Sequence, residues 1–133
     1  MSSSAFPQAA TIEQLRQNIA TIRARIDQAC LAAGRDPSSV RLLPVSKTHS
    51  SEYLRLAYAA GCRMLGENKV QEAHQKWQEL DDLTDLEWSV IGHLQTNKAK
   101  YVARFASEFH ALDSLRLAQA LDQRLTIEDR YLD

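Results

Sequence analysis

The chain has 133 residues, of which 44% are hydrophobic and 25% charged, with a formal net charge of −1. These values describe an ordinary globular domain with a modest core, and the near-zero charge gives no global attraction to nucleic acid or to an anionic membrane. No apolar run approaches the roughly 20 residues of a membrane span, and Met1–Ala10 lacks the charged start and apolar stretch of a secretory signal, so a cytoplasmic location is expected.

Residues 1–10 are rich in Ser and Ala and are expected to be a disordered N-terminus. The domain proper is expected over 11–133. Thr11 and Gln14 have capping-box spacing. Ile12, Leu15, Ile19, Ile22, Ile26 and Cys30 then recur in steps of three and four, which is one face of a long amphipathic helix. Gly34 stops it, and Asp36-Pro37 starts the next turn. Cys30 and Cys62 fall on different predicted elements with no metal-ligand spacing, so both read as small buried hydrophobes in a reducing compartment.

Residues 41–46 read as a short buried strand that ends at Lys47. A lysine at a desolvated strand end has its ammonium disfavoured and its amine freed as a nucleophile. The alternative is a lysine that reaches out to solvent. Ser50 or Ser51 caps a second helix over Glu52 to Ala60, ended by Gly61. Cys62–Leu65 reads as a second strand, followed by Gly66-Glu67-Asn68. Glu67 is expected to favour the N-terminus of the next helix. That helix carries Val70, Ala73, Trp77 and Leu80 on one face, and Asp81–Asp85 is a solvated acidic loop. Leu86–Ile91 reads as a third strand, ending in Gly92-His93. A fourth helix follows over about 96–105, and Glu108–Leu112 reads as a fourth strand. Asp113-Ser114 caps a fifth helix through Leu117, Ala118, Leu121 and Leu125, while residues 126–133 carry no clear signal.

One helix followed by four strand-helix units implies a parallel sheet with right-handed crossovers, either a small doubly wound sheet or part of a (β/α)8 barrel. In both, chemistry gathers at the C-terminal ends of the strands. Lys47-Thr48-His49, Gly66-Glu67-Asn68, Gly92-His93 and Asp113-Ser114 all fall there. His49 and His93 are candidate acid–base groups, and no pair of histidines with a carboxylate has metal-ligand spacing. Lys98, Lys100 and Arg104 beside Tyr101 read as a solvated basic face rather than a nucleic-acid site.

Val45-Ser46-Lys47-Thr48, Gly66-Glu67-Asn68 with Val70-Gln71-Glu72, Ile91-Gly92-His93-Leu94-Gln95-Thr96-Asn97-Lys98 and Leu112-Asp113-Ser114 together resemble the pyridoxal-phosphate homeostasis proteins, the YggS/PROSC family. The resemblance implies an α/β fold of the alanine-racemase type, a TIM barrel. It also implies pyridoxal 5'-phosphate (PLP) held as a Schiff base on Lys47, with Asn68 near the cofactor and Lys76 and Lys98 at basic positions of the family. The implied role is regulatory PLP binding without turnover. His49, Leu65, Lys69 and Ser89 depart from the family pattern. A full barrel takes about 250 residues, so the resemblance covers an N-terminal half, without the family's later phosphate-binding loops. Gly92-His93 before the fourth helix is a candidate substitute for those loops, and His93 is therefore counted with Lys47 and Asn68 as cofactor-binding. The open sheet edges of a half-barrel predict self-association. Rival readings are a non-binding remnant that associates through those edges and a PLP-dependent racemase-type enzyme.

Overall fold

The structure is a computed structural model and describes residues 9–133; the expected disorder of residues 1–8 lies outside these. Ala9 is buried, and its carbonyl accepts a hydrogen bond from the Tyr53 hydroxyl at 2.9 Å. Helix α1 spans Ile12–Ala32 and starts with the expected capping box, in which Gln14 N–H and Thr11 N–H each donate to the other's side chain at 3.2 Å. It ends in a Schellman motif: Gly34 takes φ +69°, its N–H donates to Leu31, and Arg35 N–H donates to Cys30 at 2.8 Å. Helix α2, Ser51–Ala59, is capped by the Ser50 hydroxyl and closed by Gly61 in the same manner, at φ +111°.

Strands β1 (Met64–Glu67), β2 (Glu87–Val90) and β3 (Glu108–Phe109) form a parallel sheet in that order. Helix α3 (Val70–Glu79) joins β1 to β2, and helix α4 (Ala99–Phe105), preceded by a 3-10 turn over Thr96–Lys98, joins β2 to β3. Helix α5 (Leu115–Glu128) follows β3 and runs further than the sequence signalled. The core lies between sheet and helices: Leu65, Trp88 and Val90 from the strands meet Leu54, Val102, Phe105 and Leu117.

The expected first strand is a correction. Residues 41–46 make a single parallel bridge between Val45 and Gly66, with Ser46 N–H donating to Gly66 and Gly66 N–H donating to Pro44, both at 2.8 Å. Pro44 has no N–H to extend that ladder toward Met64, so the pairing ends there. Only Ser46 of this run is buried: the outer side of the segment carries no further strand among the described residues, Leu42–Pro44 are half-buried and Val45 is 45% exposed. The expected strand at 108–112 is shorter too, and ends at Phe109. Asp133, in the tail without a sequence signal, pairs along the outer edge of β3: its N–H donates to Ser107 at 3.1 Å and its carbonyl accepts from Phe109 at 2.8 Å.

The C-terminal ends of β1 and β2 are drawn together at Gly92. A Cβ there would collide with the Asn68 carbonyl oxygen and lie 3.0 Å from the Asn68 Cα. Neither neighbour is a flexible side chain, so the backbone itself would have to move. Gly92→Ala is therefore expected to destabilise the fold by about 1–3 kcal/mol, read as a lower urea midpoint; an unchanged midpoint would contradict this packing.

Candidate functional site

The strand ends carry one dense polar cluster. Lys76, on α3, is 6% exposed, and Glu67, at the end of β1, is fully buried. Their side chains meet at 2.5 Å from Lys76 Nζ to Glu67 Oε1. The ammonium also donates to Glu72 Oε1 and to the Ser46 carbonyl, each at 3.0 Å. The Ser46 hydroxyl donates to Glu67 Oε1 at 3.0 Å, and Thr48 N–H donates to Glu72 Oε1 at 3.1 Å. The donation from Lys76 holds the Glu72 carboxyl below the ordinary value of 4.5, against the opposing effect of burial and with help from the Thr48 N–H. Buried ions require this degree of pairing, since an isolated one costs several kcal/mol. Glu67 Oε2 remains buried without a hydrogen-bond partner.

Glu67 thus does not serve the N-terminus of α3, as its position in the sequence suggests. Glu72 occupies the first turn of that helix instead, and Lys69 at the N-cap makes no side-chain cap bond. Glu67 faces Lys76 instead, while Asp113, beyond the end of the next-but-one strand, lies 3.8 Å from His93 Nδ1.

Lys47 follows directly on this cluster. It is exposed rather than desolvated, because the segment leading to it is bridged on one side only. Thr48 takes φ +67°, a left-handed conformation that a β-branched residue adopts only under tertiary constraint. Asn68 and His93 do come together. Both line a cavity of about 340 Å³ with Glu72, Leu94, Gln95 and Lys98, at the rim where Gly92 packs on Asn68. Lys47 does not line it; Glu72 connects the two regions through Thr48. His93 is itself exposed. His49 stacks on Tyr53 at 4.6 Å between ring centroids, away from that cavity.

His74 packs among Trp77, Tyr101 and Phe105, and burial and Arg104 push its pKa down. His110 lies 2.9 Å from the Glu108 carboxylate, which also takes a two-oxygen contact from Arg41. The acidic loop is more than a solvated face: Asp82 pairs with Arg55 at 2.7 Å, and Asp85 accepts from Tyr58 at 2.5 Å. Among the described residues no group of three or more His, Cys, Asp or Glu is placed to hold a metal, and no helix is long and apolar enough to cross a membrane.

Lys76 was expected only as a basic position. Its signal in the sequence is its place in line with Val70 and Ala73 on α3, three buried positions at steps of three. Lys76→Met is expected to destabilise the chain by about 3–5 kcal/mol, since it leaves Glu67 buried alone. Adding Glu67→Met should recover a large part of that loss in denaturant unfolding. Simple additivity of the two losses would show that the pair is not coupled.

No family model matches the chain. The chain is 46% identical over 110 residues to the pyridoxal phosphate homeostasis protein of Pseudomonas aeruginosa, an alignment that takes in 83% of this chain and 47% of that protein. Among solved structures it resembles PipY of Synechococcus elongatus with PLP bound, at 40% identity and a TM-score of 0.75, over 87% of this chain and 50% of that one. A protein of unknown role from Bifidobacterium adolescentis aligns at 28% identity and a TM-score of 0.81, over 94% of this chain and 55% of that one. The parallel sheet and these likenesses fit an incomplete alanine-racemase-like (β/α) barrel. The chain spans about half the length of the curated relatives it matches, and it is homologous to the N-terminal half of the pyridoxal phosphate homeostasis proteins.

Proposed function

We propose that this chain carries the lysine-bearing part of a cytoplasmic PLP-binding homeostasis protein, with Lys47 as the residue that joins the cofactor. The observation that supports the reading most is the placement of Lys47 on a turn at the strand ends, tied on one side to the buried Lys76 and on the other to the half-buried Glu72, and open to an incoming molecule. PLP, when bound, supplies an aldehyde that bonds reversibly to an amine. The residues present fit that end of the cofactor: an accessible amine on an anchored turn, with the Asn68 amide at the rim of the neighbouring cavity. Asn68 orients the ring, and His93, with Asp113 at 3.8 Å, is the polar group on the cavity's outer side.

The phosphate end has a weaker counterpart. Helix α4 begins at Ala99, six residues beyond His93 and after the 3-10 turn, so Gly92-His93 is not the N-terminus of that helix. Lys98, lining the cavity, is the cation available there as a point charge. The role is binding and release rather than turnover, because the groups gathered around Lys47 are tied up in holding the turn. The expected result of mixing the chain with PLP is a yellow chromophore, and borohydride should fix it to the peptide containing Lys47. Loss of that label in Lys47→Ala supports the reading, and label spread evenly over exposed lysines rejects it.

Self-association belongs to the same proposal. Among the described residues no strand pairs on the outer side of residues 41–45, where Val45 exposes apolar surface, and Leu112 exposes apolar surface beyond β3, whose edge Asp133 covers in part. Light scattering across a dilution series is expected to show a dimer that dissociates on dilution; a constant monomer mass at high concentration would count against it.

A further inference from the structure

Among the groups around Lys47, Glu72 stands out for touching both sides of the site. It lines the cavity with Asn68 and His93, and its Oε1 accepts the Thr48 N–H. The same oxygen is gripped by Lys76, whose ammonium also holds the Ser46 carbonyl. The residues before and after Lys47 are therefore tied to one ion cluster, from the carbonyl side at Ser46 and from the N–H side at Thr48. Thr48 is the position where such a tie is needed: at φ +67° its backbone lies in a region that a threonine leaves when released.

We propose that Glu72 is a positioning residue for Lys47: held in place by Lys76, it locks the Ser46–Thr48 turn in its left-handed form and so aims the Lys47 amine at the rim shared with Asn68. This rests on the reading of Lys47 as the PLP-bearing lysine. The role proposed for Glu72 is exerted through the backbone of Thr48, whose N–H its Oε1 accepts. Its side chain is 34% exposed, unlike that of Glu67. Removing it leaves the Lys76–Glu67 pair intact, and the fold should survive.

The chemistry predicts a difference between two substitutions. Glu72→Ala removes the acceptor for Thr48 N–H. Glu72→Gln keeps a carbonyl oxygen at the same reach and removes only the charge. If the hydrogen bond to Thr48 sets the turn, glutamine rescues what alanine loses. If Glu72 acts by its charge alone, both variants fail alike.

The test has two readouts on the full chain. The first needs no PLP: amide hydrogen exchange at Thr48 and His49 is expected to accelerate in Glu72→Ala and stay near wild type in Glu72→Gln, with exchange in β1 and β2 unchanged. The second is the yield of borohydride-fixed PLP on Lys47 at limiting PLP, expected to fall by about tenfold or more in Glu72→Ala and to be largely retained in Glu72→Gln, on the scale that misplacement of a reacting group produces. Unchanged exchange at Thr48 in Glu72→Ala overturns the proposal, and so does equal loss of label in both variants. If wild type itself places no label on Lys47, the reading of Lys47 fails. The exchange result then still decides whether Glu72 locks the turn.

Discussion

The pair of Lys76 and Glu67 is the interaction on which the strand ends depend. A fully buried carboxylate and a nearly buried ammonium, 2.5 Å apart, hold together the end of β1, the middle of α3 and the segment before Lys47. Each ion would be costly to bury alone, and together they leave few alternative arrangements for the backbone around them. The other strand-end contact is steric. Gly92 lets the loop after β2 pack on the Asn68 backbone, so the loops after β1 and β2 share one rim. Charge fixes one side of the site and the absence of a side chain fixes the other.

This arrangement separates two tasks that a desolvated lysine would combine. The buried lysine, Lys76, is occupied by three acceptors. The exposed lysine, Lys47, lies one residue from two of the backbone groups that Lys76 and Glu72 hold. A rigid base beneath a free amine suits a protein that takes up and gives back an aldehyde, because the amine stays accessible while its backbone loses little freedom on binding. The kinship with pyridoxal phosphate homeostasis proteins accords with that division of labour.

Local chemistry was legible in the sequence where the residues themselves carry it. The capping box of Thr11 and Gln14, the caps at Ser50 and Ser114, and the stops at Gly34 and Gly61 all stand where their side chains or their conformational freedom put them. The parallel order of the sheet followed from alternating strands and helices. Pairing across the fold was less legible. Pro44 sits inside an apolar run that reads as a strand, yet its missing N–H limits that run to one bridge. Glu67 precedes a helix and reads as a cap, whereas its partner Lys76 lies in the second turn of that helix. Asn68 and His93 are grouped by the family resemblance and meet at the rim, but only the Gly92 contact shows why. Lys47 reads in the sequence either as desolvated at a strand end or as reaching solvent; it is exposed, because the run before it has a strand on one side alone.

A crystal structure of the chain grown with PLP tests the central claim most directly. The account predicts continuous density from Lys47 Nζ to the cofactor, with the Asn68 amide beside the ring and the Thr48–Glu72 hydrogen bond in place. Density joined to a different lysine, or a Lys47 free in solvent with PLP ordered elsewhere, would contradict it.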